Sequence, residues 1–342
     1  MPSPDLLPCI NPNPDIPGVG VRVVIYVQAF FNIICTIIFS RDTSTSDFEH
    51  TILTTTSLSL FLIGCALLLG TILQGSTLGL TPHHALITLN LSWIVGLGAL
   101  LHVFIWTYNV IAAFFDVSVK PKLSSSGDDE TPSGKSLLYL PTLHLCGTGV
   151  VGISVWKVTK MFEDQQECTP LTGLTVFGKD VGVLNATLRR APLAIYWMAA
   201  LPLVNLLIVF LAALAVIGLM TCVYPVIRCL LFKSLSWRTF SFFGGILVIV
   251  LLQISFIVDT EMMISRPEAL VKEVEETWTF GHTLALAVLM VPLVGMVKIV
   301  FGAHRSGRRN IHPRDRPPRL QAAPRQVGMA GDYEPDLYRN LQ

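Results

Sequence analysis

The sequence predicts an all-α fold: a polytopic bundle of about seven transmembrane helices with disordered N- and C-terminal tails. Two observations predict it. Of the 342 residues, 52% are hydrophobic and only 14% are charged, whereas soluble domains carry about 25% charged residues. The apolar residues also gather into runs of about 20, the length that an α-helix needs to cross the hydrocarbon core of a bilayer.

Seven apolar runs are separated by polar joints. We predict spans at residues 21–40, 51–73, 85–115, 137–156, 192–227, 240–258 and 280–301, which form one bundle over residues 21–302. Residues 1–20 precede it as an extramembrane segment in which six prolines block regular structure. Residues 303–342 follow as a basic tail of disordered composition. The chain shows no basic n-region with a short apolar segment, so the first span is predicted to act as an uncleaved anchor.

Two of these spans are ambiguous. Residues 137–156 contain a proline, His144 and three glycines, so a re-entrant or heavily packed helix competes with a full crossing. The apolar run over 192–232 is too long for one crossing and too short for two crossings joined by a turn. We predict one long helix that is kinked at Pro202 and Pro225.

The protein is predicted to lie in the plasma membrane or an endomembrane. The charge distribution predicts that its N-terminus is outside the cell or in the lumen and that its C-terminus is in the cytoplasm. With seven spans, the segments on the predicted cytoplasmic side hold fifteen Lys and Arg residues, and those on the other side hold eight. Cytoplasmic segments are normally the more basic ones. Asn185 starts the one glycosylation sequon outside the predicted spans, and it falls on the outer side.

Cys9 and Cys168 also fall on the predicted outer side, in an oxidising compartment. One hypothesis is a disulfide between them, and the other is two free thiols. The remaining five cysteines lie in or beside apolar runs and are interpreted as small core residues.

Polar residues inside the spans are the candidates for function, because in hydrocarbon each polar side chain must find a partner. The span at residues 85–115 has the most of them, and we take Asn90, His102, Trp106 and Asn109 as candidate binding residues. Their helical spacing places them on related faces. Either they line a wet cavity, or they bond neighbouring helices as structural contacts worth about 1–2 kcal/mol each.

The first span has a polar outer end that includes Arg22, Gln28 and Asn32. We predict that Arg22 forms a structural pair with Glu275 or Glu276, just before the last span, with Glu276 as the chosen partner. The alternatives are that the Arg22 side chain reaches into the headgroup region on its own, or that it belongs to a ligand site.

Several familiar chemistries have no motif in this chain. There is no GxxxxGK[ST], GxSxG or HExxH sequence, no pair of carboxylates within a span and no Cys/His spacing typical of a metal site. We therefore predict no catalytic residue, no metal and no cofactor, and we do not expect an enzyme. A net charge of +1 gives no indication of a nucleic-acid partner. The lipid bilayer is the one predicted partner, and any ligand or protein partner is left open.

The segment NPDIPGVGVRVVIYVQ (residues 13–28), which follows Cys9, resembles the opening of a group of multi-pass membrane proteins predicted in fungal genomes, with the motif NPDI-x-G-x-GVR-x3-Y-x-Q. WTFGHTLALAVLMVPL (residues 278–293) is similar to the group's Trp-x-Phe-Gly-Gln motif at the start of the last helix, with His282 in place of Gln. The two matches cover about a tenth of the chain. The resemblance implies an integral membrane protein of about seven helices, and it implies no activity.

Topology alone makes a receptor-like or sensory membrane protein the leading function hypothesis. The alternatives are a transporter or channel lined by the polar residues of the third span, and a non-catalytic membrane scaffold. A water-filled cavity beside Asn90, His102 and Asn109 would favour a receptor or transporter. Capping of these residues by neighbouring helices would favour a scaffold.

Overall fold

The structure is a computed structural model that describes residues 18–39, 47–77, 80–115, 133–157, 173–176, 179–182, 186–230 and 236–265, and eight single residues between 283 and 297. The predicted terminal segment up to residue 17 and the basic tail over 303–342 lie outside the described residues. The chain divides into two compact units, Met1–Met296 and Val297–Gln342. All the helices and strands named below belong to the first unit. In the second unit the structure describes Val297, which is helical.

The described part of the chain contains seven α-helices and one β-hairpin. The helices are α1 (Val19–Phe39), α2 (Asp47–Thr77), α3 (Pro82–Phe115), α4 (Ser133–Lys157), α5 (Ala186–Ala200), α6 (Pro202–Leu230) and α7 (Trp237–Ser265). Strands β1 (Gly173–Val176) and β2 (Lys179–Gly182) pair antiparallel between α4 and α5. The bundle is helical as predicted, and the hairpin was not predicted. The described residues between 283 and 297 are also helical and fall within the predicted last span.

Five of these helices are long and apolar enough to cross a membrane. The crossing segments are Val19–Ile38, Thr55–Thr77, Pro82–Tyr108, Pro202–Cys229 and Trp237–Ser265. This is the architecture of a multi-pass membrane protein, which confirms the general prediction. The last of them, in α7, continues well beyond its predicted end at residue 258, and this extension brings a carboxylate into the bundle.

Helix α3 begins three residues earlier than predicted because Thr81 caps it. The Thr81 hydroxyl accepts a hydrogen bond from the His84 N–H at 3.4 Å, and the Thr81 carbonyl accepts one from the Ala85 N–H at 3.2 Å. Pro82 occupies the first helical position, where its missing N–H costs nothing because that group has no partner inside a helix.

The predicted single helix over 192–227 is two helices in the structure, and the prediction of one kinked helix is wrong at Pro202. Because Pro202 has no N–H, the Met198 carbonyl loses its usual partner. The Leu201 N–H bonds this carbonyl instead, at 3.4 Å, which tightens and ends α5. Pro225, by contrast, lies inside the continuous helix α6.

The side chain of Asn205 joins the break between α5 and α6 to helix α4. Its Nδ2 lies 3.0 Å from the Ala199 carbonyl oxygen, 3.4 Å from the Thr142 carbonyl oxygen and 3.2 Å from Sγ of Cys146. A carbonyl at the end of an interrupted helix needs such a partner when it is buried. The break is therefore held by a side chain rather than left open.

Helix α3 is the most buried of the five crossing helices, and α6 is the least buried. Helix α3 contacts α1, α2, α4, α6 and α7. One apolar core joins it to α1, α2 and α4, and a second, around Phe104 and Ile249, joins it to α1, α6 and α7. Helix α6 instead exposes large side chains such as Leu203, which is 83% exposed. An apolar face of this kind suits contact with lipid.

Glycines allow α4 to pack closely on its neighbours. Gly149 lies against the backbone of Ala200, and Gly152 lies against the ring of Tyr196, so α4 and α5 touch with no room for a side chain between them. Small residues permit this kind of close approach between membrane helices. The three glycines that made the fourth span ambiguous in sequence are thus part of its packing.

We expect Gly152→Ala to lower the melting temperature in detergent micelles, because its methyl group would overlap the Tyr196 ring. Overpacking typically costs about 1–3 kcal/mol. Gly70→Ala is the matched control, since a Cβ at Gly70 in α2 meets nothing within 4 Å. There alanine should stabilise the helix by about 0.5–1 kcal/mol. Equal melting temperatures for the two variants would contradict this account of α4–α5 packing.

Candidate functional site

His102 lies at a junction of three helices. Its Nε2 is 2.6 Å from the Ser57 hydroxyl of α2, and its Nδ1 is 2.7 Å from the carbonyl oxygen of Gly98, one turn earlier in α3. The Ser57 hydroxyl also lies 3.2 Å from the side-chain amide of Asn32 in α1. A chain of hydrogen bonds thus runs from α1 through α2 to α3.

Proton counting constrains this chain of hydrogen bonds. The Gly98 carbonyl can only accept, so Nδ1 of His102 carries a proton. The Ser57 hydroxyl donates to Oδ1 of Asn32 at 3.2 Å. The same hydroxyl contacts Nε2 of His102 at 2.6 Å, so it links α1 to α3.

The four predicted binding residues do not come together. Asn90 is buried and donates through Nδ2 to Sδ of Met263 in α7 at 3.2 Å. Trp106 is 60% exposed, on the outer surface of the bundle. The Asn109 side chain lies outside the described residues. Asn90 and His102 are twelve residues apart on one helix, which separates them by about 18 Å. The structure thus places Asn90 and His102 at contacts between helices and Trp106 on the outer surface of the bundle.

Arg22 pairs with a carboxylate that the sequence did not indicate. Its guanidinium lies 2.5 Å from Oε2 of Glu261 in α7, and the Tyr26 hydroxyl donates to Oε1 of the same carboxylate at 2.8 Å. We call these three residues the α1–α7 clasp. The predicted partner, Glu276, lies outside the described residues. The sequence missed Glu261 because the sixth span was ended at residue 258, where hydropathy falls, although the helix continues.

Three other predicted positions lie outside the described residues. They are Cys9 and Cys168 of the predicted disulfide, and Asn185 of the glycosylation sequon. These stay predictions. Among the described residues, no group of three or more His, Cys, Asp or Glu side chains could hold a metal ion.

His144 is a buried polar residue of α4 whose role the sequence did not reveal. Its Nε2 lies 3.1 Å from the Ser92 carbonyl of α3. Its ring also lies against Gly64 of α2, where an added Cβ would be 2.6 Å from Cε1. His144 therefore fills the contact among α2, α3 and α4. Its position in a glycine-containing span was the only sequence signal.

Gln28, Asn32 and Thr36 form one buried polar face of α1, at i, i+4 and i+8, which we call the α1 polar row. Their exposed fractions are 0%, 1% and 1%. Within the described part of the chain, both amide atoms of Gln28, one amide atom of Asn32 and the Thr36 hydroxyl have no hydrogen-bond partner. Leaving one such atom unpaired costs about 1–3 kcal/mol. The sequence placed Gln28 and Asn32 at a polar outer end, whereas the structure buries them.

We expect Ser57→Ala to lower the free energy of unfolding by about 1–3 kcal/mol, because His102 and Asn32 both lose a buried hydrogen-bond partner. The change can be measured as a loss of thermal stability in micelles. Ser76→Ala in the same helix is the matched control, since its exposed hydroxyl bonds only the Leu73 carbonyl among the described contacts, at 2.9 Å. It should stay within about 0.5 kcal/mol of the parent protein. Equal effects of the two substitutions would show that the three-helix junction contributes nothing.

No family model, curated protein or solved structure matches the chain. The similarity of residues 13–28 and 278–293 to a fungal group therefore stays a prediction. The contacts described above are the basis for the function proposed below.

Proposed function

We propose that the protein crosses the membrane seven times, with its N-terminus outside or in the lumen, and acts as a receptor-like or sensory membrane protein. The proposed crossings are α1, α2, α3, α4, α5 with α6 as one interrupted span, α7, and the span predicted from sequence at residues 280–301. The resemblance to the fungal seven-helix group is part of this proposal.

The α1–α7 clasp supports an even number of crossings from α1 through α7. Arg22 lies in the first turn of α1, and Glu261 lies in the last two turns of α7. This contact supports a topology in which the start of α1 and the end of α7 lie on the same side of the membrane. The five helices that qualify by length and hydropathy would put them on opposite sides. A sixth crossing is needed, and α4 is the 25-residue helix that can supply it.

The direction of α4 agrees with this assignment. Gly64 of α2 contacts His144 of α4, and Leu68 of α2 contacts Gly147. Because both sequence numbers rise together, α4 runs parallel to α2, which is itself a candidate span. His144 and Thr148 of α4 are buried, and His144 contacts both α2 and α3, so these two polar residues do not oppose a membrane location.

The capping of the polar groups of α3 counts against a pore and, taken alone, favours a scaffold; the observation that carries the receptor-like proposal is the contact between strand β1 of the hairpin and α7. His102 is bonded through both ring nitrogens and Asn90 through its amide, each to a contact within the bundle. A pore lined by α3 is not supported by this geometry. A packed bundle that transmits a change from one membrane face to the other is consistent with it.

In the proposed topology the hairpin between α4 and α5 lies on the outer side, where it can act on the bundle. Strand β1 of the hairpin between α4 and α5 contacts α7, and α7 is joined to α1 by the α1–α7 clasp. A ligand or partner that displaced the hairpin would therefore act on a helix bonded to the first span. The same packing suits a non-catalytic scaffold. A receptor differs from a scaffold because a change at one membrane face alters the other membrane face.

A transporter or channel is the second candidate, and one observation favours it. The α1 polar row is buried and has unpaired atoms among the described residues. Polar groups of this kind inside a membrane bundle mark the interior pathways of many transporters.

The seven-crossing topology predicts that a membrane-impermeant thiol reagent added outside intact cells labels Cys9 and Cys168, each kept as the sole cysteine. It should leave Cys229, at the end of α6, and a Gln342→Cys variant unlabelled until the membrane is permeabilised. Each crossing reverses the side of the chain, so the four positions test α4, α5–α6 and the last helix in turn. Labelling of Cys9 without Cys168 would mean that α4 does not cross.

The receptor-like role predicts that opening the α1–α7 clasp with Arg22→Gln alters thiol labelling of the exposed Cys229 at the other membrane face. Coupling of 0.5–2 kcal/mol would change the labelling rate by about twofold to thirtyfold. Cys35, which is fully buried, is the matched reporter of general unfolding and should keep its slow rate. Unchanged labelling of Cys229 would favour the scaffold over the receptor.

A further inference from the structure

The α1 polar row lies inside a crossing helix rather than at its edge. Gln28, Asn32 and Thr36 all fall within the candidate span Val19–Ile38, and each is almost completely buried. Lipid cannot offer a hydrogen bond at this depth, so these groups can be satisfied only from within the protein or by a molecule held inside it.

The protein satisfies this row only in part. One amide atom of Asn32 contacts the Ser57 hydroxyl. The remaining polar atoms of the row have no partner among the described residues. The unpaired set includes donors and acceptors, because an amide has both and a hydroxyl is both. A matching ligand must therefore donate and accept, and it must do so at successive turns of one helix.

Charge limits the chemistry of that ligand. Helix α1 after Arg22, α2 from residue 51 onward and the whole of α3 contain no Asp, Glu, Lys or Arg. An ion beside the row would find no counter-charge on the helix that carries the row or on the two helices joined to it at Ser57 and His102. Water is neutral, donates and accepts, and is the usual partner of buried polar groups that the protein leaves unpaired.

We propose that the α1 polar row is an internal hydration site of the membrane bundle, in which ordered water bridges Gln28, Asn32 and Thr36. The water continues the hydrogen bonding of the three-helix junction along α1. This proposal concerns the row itself and holds for a receptor, a transporter or a scaffold.

An isosteric substitution distinguishes a hydrated amide from a dry one. Gln28→Met keeps the length of the side chain and removes its polar atoms. If water bonds the amide, the full-length protein in micelles should lose thermal stability, by several degrees in melting temperature. If the amide is dry and unpaired, the same substitution should raise the melting temperature, because an unmet polar group is removed. Ile25→Met, one turn away and equally buried, controls for tolerance of methionine at this depth.

Thiol chemistry gives a second readout that does not depend on stability. A thiol reacts as the thiolate, which forms readily only where water reaches it. In a background without other cysteines, Gln28→Cys should react with a small neutral methanethiosulfonate at least about tenfold faster than Ile25→Cys. The parent residues at both positions are 0% exposed, so bulk exposure does not explain a difference. A higher melting temperature in Gln28→Met, or reactivity at position 28 no greater than at position 25, would overturn the proposal.

Discussion

A polar group inside a bundle surrounded by hydrocarbon can be satisfied only by the bundle or by a molecule held within it, and the main contacts between helices in this protein follow from that constraint. His102 bonds Ser57 and Gly98, Asn90 bonds Met263, and His144 bonds the Ser92 carbonyl. Apolar surface alone would not fix which helix faces which, since lipid tails are as apolar as the helices. The polar side chains therefore select the neighbours, and the apolar cores fill the space between them.

Helices α4, α5 and α6 show how an unfavourable sequence is accommodated. Helix α4 has a proline, a histidine and glycines, and the last two features serve its packing: Gly149 and Gly152 admit α5, and His144 meets α2 and α3. The break before Pro202 leaves backbone groups without their helical partners, and Asn205 supplies hydrogen bonds there from one side chain. An interrupted helix is tolerated in a membrane when its free backbone groups are met by neighbouring elements in this way.

The α1–α7 clasp gives a physical role to polar residues near the start of α1. Arg22 and Tyr26 both contact Glu261, and Gln28 belongs to the α1 polar row. The three residues lie in two turns of one helix, yet they serve different purposes: two join the start of α1 to α7, and one is buried inside. Since β1 contacts α7, the hairpin and the start of α1 meet the same helix. A displacement of the hairpin would therefore act on the helix to which the start of α1 is bonded.

The sequence by itself determined the class of the protein and the approximate position of its spans, because hydropathy is a local property that a window of about 20 residues measures. It also indicated α3 as the polar helix. Only the tertiary structure decided that Glu261 pairs with Arg22, that Trp106 faces outward, that Gln28 is buried, and that the chain breaks before Pro202. These outcomes depend on which side chain of a distant helix lies opposite, and spacing along one helix cannot specify that. The sequence therefore predicted insertion into a membrane, and it did not predict the hydrogen-bond partners inside the bundle.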